Sequence, residues 1–188
     1  MKFSEVFKLA RLHTAGLREA RRKRVFTEDI TADYLRGLGA KAVVLDHDGV
    51  LGPNRSIAPD GTGLKLIERM VEGFGAGAVF ILSNTRSRKA QREKYYADPK
   101  LKVKYIVADK NPSTDGLEKA GEACGISVDK IAVLDDGILT GILMAASAGG
   151  IAVYTMRKHL DESLHAKAIR LFTTKPQLAL VRVLGLFG

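Results

Sequence analysis

Residues 42–51, AVVLDHDGVL, restrict the possible folds of this chain more than any other stretch. The apolar run Ala42, Val43, Val44, Leu45 fits a strand buried on both faces, as at the centre of a parallel sheet. Such sheets gather their chemistry at the carboxyl ends of the strands, where Asp46 stands, with Asp48 two residues on and Gly49 letting the backbone curl. Two carboxylates so spaced can hold a divalent cation, and one can act as a nucleophile while the other moves a proton. The same spacing also suits a solvated loop or a helix cap, so the later strand ends decide.

The rest of the chain repeats this design. A short helix, ADYLRGLG, capped by Thr31 and closed by Gly37 and Gly39, precedes the Asp46 strand. The turn-rich loop GPNRSIAPDG (52–61) follows it, and then Leu64, Leu66, Ile67, Met70 and Val71 recur at helical spacing. Buried strands are expected at 78–83 (AVFILS), 103–108 (VKYIVA), 130–136 (KIAVLDD) and 151–155 (IAVYT), with helices between them. The first of these ends in Ser83-Asn84-Thr85 at a helix start, where free N–H groups and the helix dipole favour phosphate; an ordinary helix cap looks the same. The second leads to Lys110, which can neutralise anionic charge, and the third ends in Asp135 and Asp136. This alternation predicts an α/β fold, a Rossmann-like doubly wound and mainly parallel sheet of five strands with right-handed crossovers. No G-x-G-x-x-G or Walker sequence competes with that reading.

A chain of 188 residues makes one domain, here 25–188, with terminal helices from about 157. The single cysteine, Cys124, cannot form an internal disulfide, which suits a reducing cytoplasmic compartment. His159 and His165 lack a metal-binding pattern, and the apolar residues 178–188 are too short to span a bilayer. Six of the nine net positive charges fall in residues 1–24, where eight Lys and Arg face only Glu5 and Glu19. Phe3, Val6, Phe7, Ala10, Thr14 and Leu17 line one face of a helix there, with Lys8, Arg11, Arg18 and Arg22 opposite. Two readings stay open for this basic amphipathic segment: contact with an anionic membrane surface, or docking on its own domain. With only Phe3 and Phe7 available for stacking, no specific nucleic-acid partner is expected.

DHDGVL, ILSNT, Lys110 and LDDGILTG, in this order at successive strand ends, resemble the four motifs of the haloacid dehalogenase (HAD) superfamily of aspartate-nucleophile phosphatases. The resemblance covers about residues 40–156, and the flanking pattern is similar to the YqeG-type, phosphatidylglycerophosphate phosphatase branch of subclass IIIA. It implies that Asp46 is the nucleophile and Asp48 the general acid and base. Ser83, the backbone N–H of Asn84 and Lys110 would hold the phosphoryl group. A Mg²⁺ ion would be bound by Asp46, by the backbone carbonyl of Asp48 and by an acid of the fourth motif, Asp135 or Asp136. Counting back from Thr140 makes Asp136 the principal one.

Two departures stand out. Asn111 separates Lys110 from the proline that usually follows directly, and Gly141 occupies the place of the fourth motif's second acid, a loss for which Asp135 could compensate. The intervals between the motifs hold one crossover helix each, so the resemblance implies a capless enzyme. An uncovered site suits a lipid headgroup better than a small sugar phosphate. With the basic N-terminus, this predicts a cytoplasmic enzyme, peripheral on the inner face of the membrane, that removes the terminal phosphate of phosphatidylglycerophosphate. The alternatives are a soluble phosphatase of another phosphomonoester, or a catalytically weakened binding protein that uses its basic N-terminus.

Overall fold

The computed structural model describes residues 3–83, 88–108 and 112–158. The terminal helices expected beyond residue 158, with His159 and His165, lie outside them. Among the described residues six strands form one sheet: β1 (Val25–Phe26), β2 (Ala42–Asp46), β3 (Val79–Ser83), β4 (Lys104–Val107), β5 (Ile131–Asp135) and β6 (Ile151–Met156), in the order β1-β6-β5-β2-β3-β4. Every pairing is parallel. The expected count of five is thus corrected to six. The added strand β1, two residues long at the sheet edge and paired with Thr155 and Met156, is too short to carry any periodic signal.

Complete burial of Ala42, Val43, Val44 and Leu45 explains why β2 lies between β3 and β5. Its side chains alternate between two cores. On one face Val43 and Leu45 meet Leu66, Ile67 and Met70 of α4 (Gly61–Phe74). On the other, Ala42 and Val44 share a core with Leu117 and Ala120 of α6 (Asp115–Cys124) and with Met144 and Ala145 of α7 (Leu143–Ala148). From β2 the chain winds one way to β3 and β4, then returns to β5 and winds the other way through β6. The topological switch point therefore falls between β2 and β5, whose carboxyl ends carry Asp46 and Asp135.

The N-terminal segment is two helices, α1 (Phe3–Leu12) and α2 (Thr14–Arg22), broken at His13. Ala10, Leu17 and Ala20 pack on Ile138, Leu139, Ile142 and Leu143, so the apolar face of this segment is covered by its own domain. Lys8, Arg11, Arg18 and Arg22 remain exposed on the outside. The short helix α3 (Ala32–Gly37) has the expected cap, Thr31 Oγ1 accepting from the Tyr34 N–H at 3.1 Å. At the start of α4, Asp60 accepts from the N–H groups of Thr62 and Gly63. It also takes a bidentate pair of bonds, 2.6 and 2.7 Å, from Arg157, whose side chain is buried and which fastens the end of β6 to this helix. No described helix is long and apolar enough to cross a membrane.

Candidate active site

Three acids converge at the switch point. Asp46 at the end of β2, Asp135 at the end of β5 and Asp136 just beyond it offer carboxylate oxygens that all lie within 4.8 Å of one another. Asp135 is buried, and Asp46 and Asp136 are half-buried. Gly49 makes the approach possible: its φ is +88°, and a β-carbon there would collide with the Asp136 carboxylate. Burial, followed by the charges of Asp135, Asp48 and Asp136, holds the Asp46 carboxyl well above the usual carboxylate range. Burial also pushes Asp135 up, to about 6, although the Gly137 N–H and the Thr140 hydroxyl donate to it and work the other way. Oxygen-only donors crowded until they repel one another fit a hard divalent cation, which would relieve the repulsion.

The repulsion carries a pH signature. A carboxyl whose folded pKa is raised costs stability as the pH climbs above its unfolded value, near 4, and the cost is complete above the folded pKa. A cation that neutralises Asp46 and Asp135 removes this cost. Mg²⁺ is therefore expected to raise the melting temperature, and to raise it more at pH 7.5 than at pH 5. Thermal scans with and without Mg²⁺ at both pH values check this; an equal shift at both would mean that these acids do not receive the ion.

The fourth-motif departure has a steric explanation. A five-residue π-helical turn, Ile138–Ile142, follows Asp135 and runs into α7. A β-carbon at Gly141 would lie on the Asp135 carboxylate. The acid that the resemblance expects at 141 has no room here, because Asp135 already fills that space.

Asp48 stands apart from the three-acid cluster. Both of its oxygens accept from the guanidinium of Arg92, from Nη1 at 2.9 Å and Nη2 at 2.7 Å, and its Oδ1 also accepts from the Arg55 N–H at 2.7 Å. Burial pushes Asp48 up, but these donors outweigh it and hold the carboxyl below the usual range. The same Arg92 Nη1 donates to Ser83 Oγ at 2.7 Å, and Nε donates to the Ser56 carbonyl at 2.9 Å. Ser83 is itself buried at the end of β3. The structure thus brings Asp46, Asp48, Ser83, Asp135 and Asp136 to one sheet edge, while Asn84 and Lys110 lie outside the described residues.

Arg92, His47, Ser56 and Tyr96 were not singled out in the sequence. His47 is fully buried between the two aspartates; its Nδ1 lies 2.7 Å from the Tyr96 hydroxyl and its Nε2 lies 3.0 Å from the Ser56 carbonyl. That carbonyl can only accept, so Nε2 carries the proton and Nδ1 accepts from Tyr96. Burial, with the Arg92 charge adding to it, lowers the His47 pKa to about 4 and keeps the ring neutral. Arg92 and Tyr96 stand four residues apart in α5 (Lys89–Tyr96) and are its buried residues. That i, i+4 spacing in RSRKAQREKYY was the one available signal, masked by the Lys and Arg around it.

No family model matches the chain, and no curated protein matches it. Two solved structures are similar to it. An uncharacterized protein from Corynebacterium glutamicum ATCC 13032 Kitasato is 20% identical, with a TM-score of 0.49, over 80% of this chain and 98% of that one. A HAD family hydrolase from Deinococcus radiodurans R1, with bound phosphate and sodium, is 15% identical, with a TM-score of 0.42, over 75% of this chain and 98% of that one.

Proposed function

We propose that this chain is a HAD-type, Mg²⁺-dependent phosphomonoester hydrolase that works through an aspartyl-phosphate on Asp46. The convergence of Asp46, Asp135 and Asp136 at the switch point carries the reading, because a carboxylate able to act as a nucleophile then has two further acids within 4.8 Å. Asp46, Asp135 and Asp136 would hold the ion, and Mg²⁺, when bound, would offset the charge of the phosphoryl oxygens. An Asp46 oxygen attacks phosphorus, the bond to the leaving oxygen breaks, and Asp48 delivers a proton to that oxygen. Water then attacks the phosphoryl group and passes its proton to Asp48. The Asp46–phosphorus bond breaks and inorganic phosphate leaves. Ser83, through its hydroxyl, and Asn84 and Lys110, by the resemblance, steady the phosphoryl oxygens. Paired with Arg92, Asp48 rests as the carboxylate that the second half-reaction needs, and it must take up a proton to serve the first.

Within this activity, we propose the YqeG-type branch and the terminal phosphate of phosphatidylglycerophosphate as the substrate. Two observations support it. The described stretches joining β2 to β3 and β3 to β4 each carry a single α-helix, so the motif intervals add no lid domain. The exposed Lys8, Arg11, Arg18, Arg22, Lys23 and Arg24 offer a basic surface to anionic lipid, on the inner face of a membrane. A second reading, a soluble phosphomonoester, is favoured by the packing of the α1–α2 apolar face on Ile138 and Leu139, which leaves that face no part in insertion. Phosphate release from a panel of lipid and soluble phosphomonoesters, with and without Mg²⁺, tests both. Preferential turnover of the lipid in anionic vesicles supports the first reading and preference for a soluble ester the second. Release from neither, with the protein folded, would refute the hydrolase assignment.

A further inference from the structure

We propose that Arg92 is the positioning residue of this site, fixing the acid/base Asp48 against the phosphate-binding Ser83; the proposal rests on the hydrolase reading above. The guanidinium is fully buried, and an arginine in that setting needs a partner for its charge. Its partners come from three separate segments: both oxygens of Asp48 after β2, the Ser83 hydroxyl at the end of β3, and the Ser56 carbonyl in the loop between them. One rigid, planar group therefore sets the distance between the side chain that would move the proton and the hydroxyl that the proposed function gives to the phosphoryl group. Because Ser83 Oγ accepts from Nη1, its own hydrogen is turned away from the guanidinium.

A purely structural account of Arg92 fits the helix poorly. In α5, KAQREKYY, the buried residues are Arg92 and Tyr96, and both reach the β2 loop, Arg92 at Asp48 and Tyr96 at His47. Helices that serve only to cover a sheet bury an apolar stripe, as α4 does with Leu66, Ile67 and Met70. Here the Tyr96 ring stacks on Tyr105 of β4 as core packing, but the Tyr96 hydroxyl and the whole Arg92 guanidinium end on the loop carrying the reacting groups. Without the bidentate bond, Asp48 keeps the Arg55 N–H on Oδ1 but loses the two guanidinium contacts that fix the plane of its carboxylate. A lysine supplies the charge from a single nitrogen, and that nitrogen cannot span both Asp48 oxygens and Ser83 together.

The test compares the full-length wild type, Arg92→Lys and Arg92→Ala with Mg²⁺ on two substrates. An alkyl phosphate needs a proton for its leaving alkoxide, whereas p-nitrophenyl phosphate releases a stabilised phenolate that needs none. A misplaced Asp48 should slow alcohol release from the alkyl ester on the order of 100-fold in Arg92→Lys, KM changing little. The first-turnover burst of nitrophenolate should stay within about 5-fold of wild type. Its later turnover should fall, and acid-quenched Arg92→Lys should contain more phosphorylated Asp46 than wild type, because the water step also needs Asp48. Arg92→Lys keeps the buried charge, so it answers the question even where Arg92→Ala unfolds. Wild-type rates for Arg92→Lys on both substrates would overturn the proposal. Equal losses in both first turnovers, without extra phosphoenzyme, would make Arg92 structural and overturn it too. An active wild type with either result leaves the hydrolase reading standing; a folded, inactive wild type refutes both.

Discussion

Asp46→Asn should abolish Mg²⁺-dependent phosphate release, by about 10³-fold or more, and leave the metal-free protein at least as stable as wild type. The loss follows because an amide cannot form the aspartyl-phosphate. The stability expectation follows from the site. In the metal-free protein the Asp46 carboxylate is disfavoured by burial and by Asp135, Asp48 and Asp136, so a neutral, nearly isosteric amide relieves repulsion rather than creating it. Phosphate release, acid-quench trapping and thermal unfolding on one preparation check both parts. Retained turnover would refute the nucleophile. Lost activity with a collapsed fold would mean that Asp46 holds the sheet edge together and would leave its chemical role without support.

Gly141→Asp should be severely disruptive alone and tolerated when Asp135→Gly accompanies it. In the wild-type background the new side chain must enter space filled by the Asp135 carboxylate, a steric and like-charge conflict worth about 1–3 kcal/mol of stability or more. Asp135→Gly alone removes an acid from the cluster and the acceptor of the Gly137 N–H, and should cost about 10- to 100-fold in metal affinity or activity. The double variant moves the carboxylate from the strand end to the following helical turn. It should recover stability with a coupling of about 1–3 kcal/mol, and with it part of the Mg²⁺ response. Denaturant unfolding of the four proteins and a Mg²⁺ titration of each decide the matter. Additive losses would show that positions 135 and 141 do not share one space.

How far the fold was legible depended on the length of each signal. Runs such as AVVLD, VFILS and IAVLD are apolar over whole strands, so the sequence alone marked them as buried strands with their acids or hydroxyls at the carboxyl ends. The cap Thr31 and the crossover helix with Leu66, Ile67 and Met70 were legible for the same reason, since capping and helical period are local properties. The strand Val25–Phe26 was not, because two residues acquire their state only from pairing with Thr155 and Met156, some 130 positions away along the chain.

By itself, then, the sequence determined a parallel α/β sheet and the set of strand ends that could carry chemistry, because hydrophobic period and short turn signals act within a few residues. Only the tertiary structure decided what those ends meet. It placed Asp135 as well as Asp136 beside Asp46 and filled the space over Gly141. It turned the apolar face of α1 and α2 onto Ile138 and Leu139, a choice that the pattern of residues 1–24 left open. It also brought Arg92 from an unremarkable run of charges into the interior against Asp48 and Ser83. A buried charge and its partners are matched across the sheet and not along the chain, so the pairing exists only once the strands are assembled.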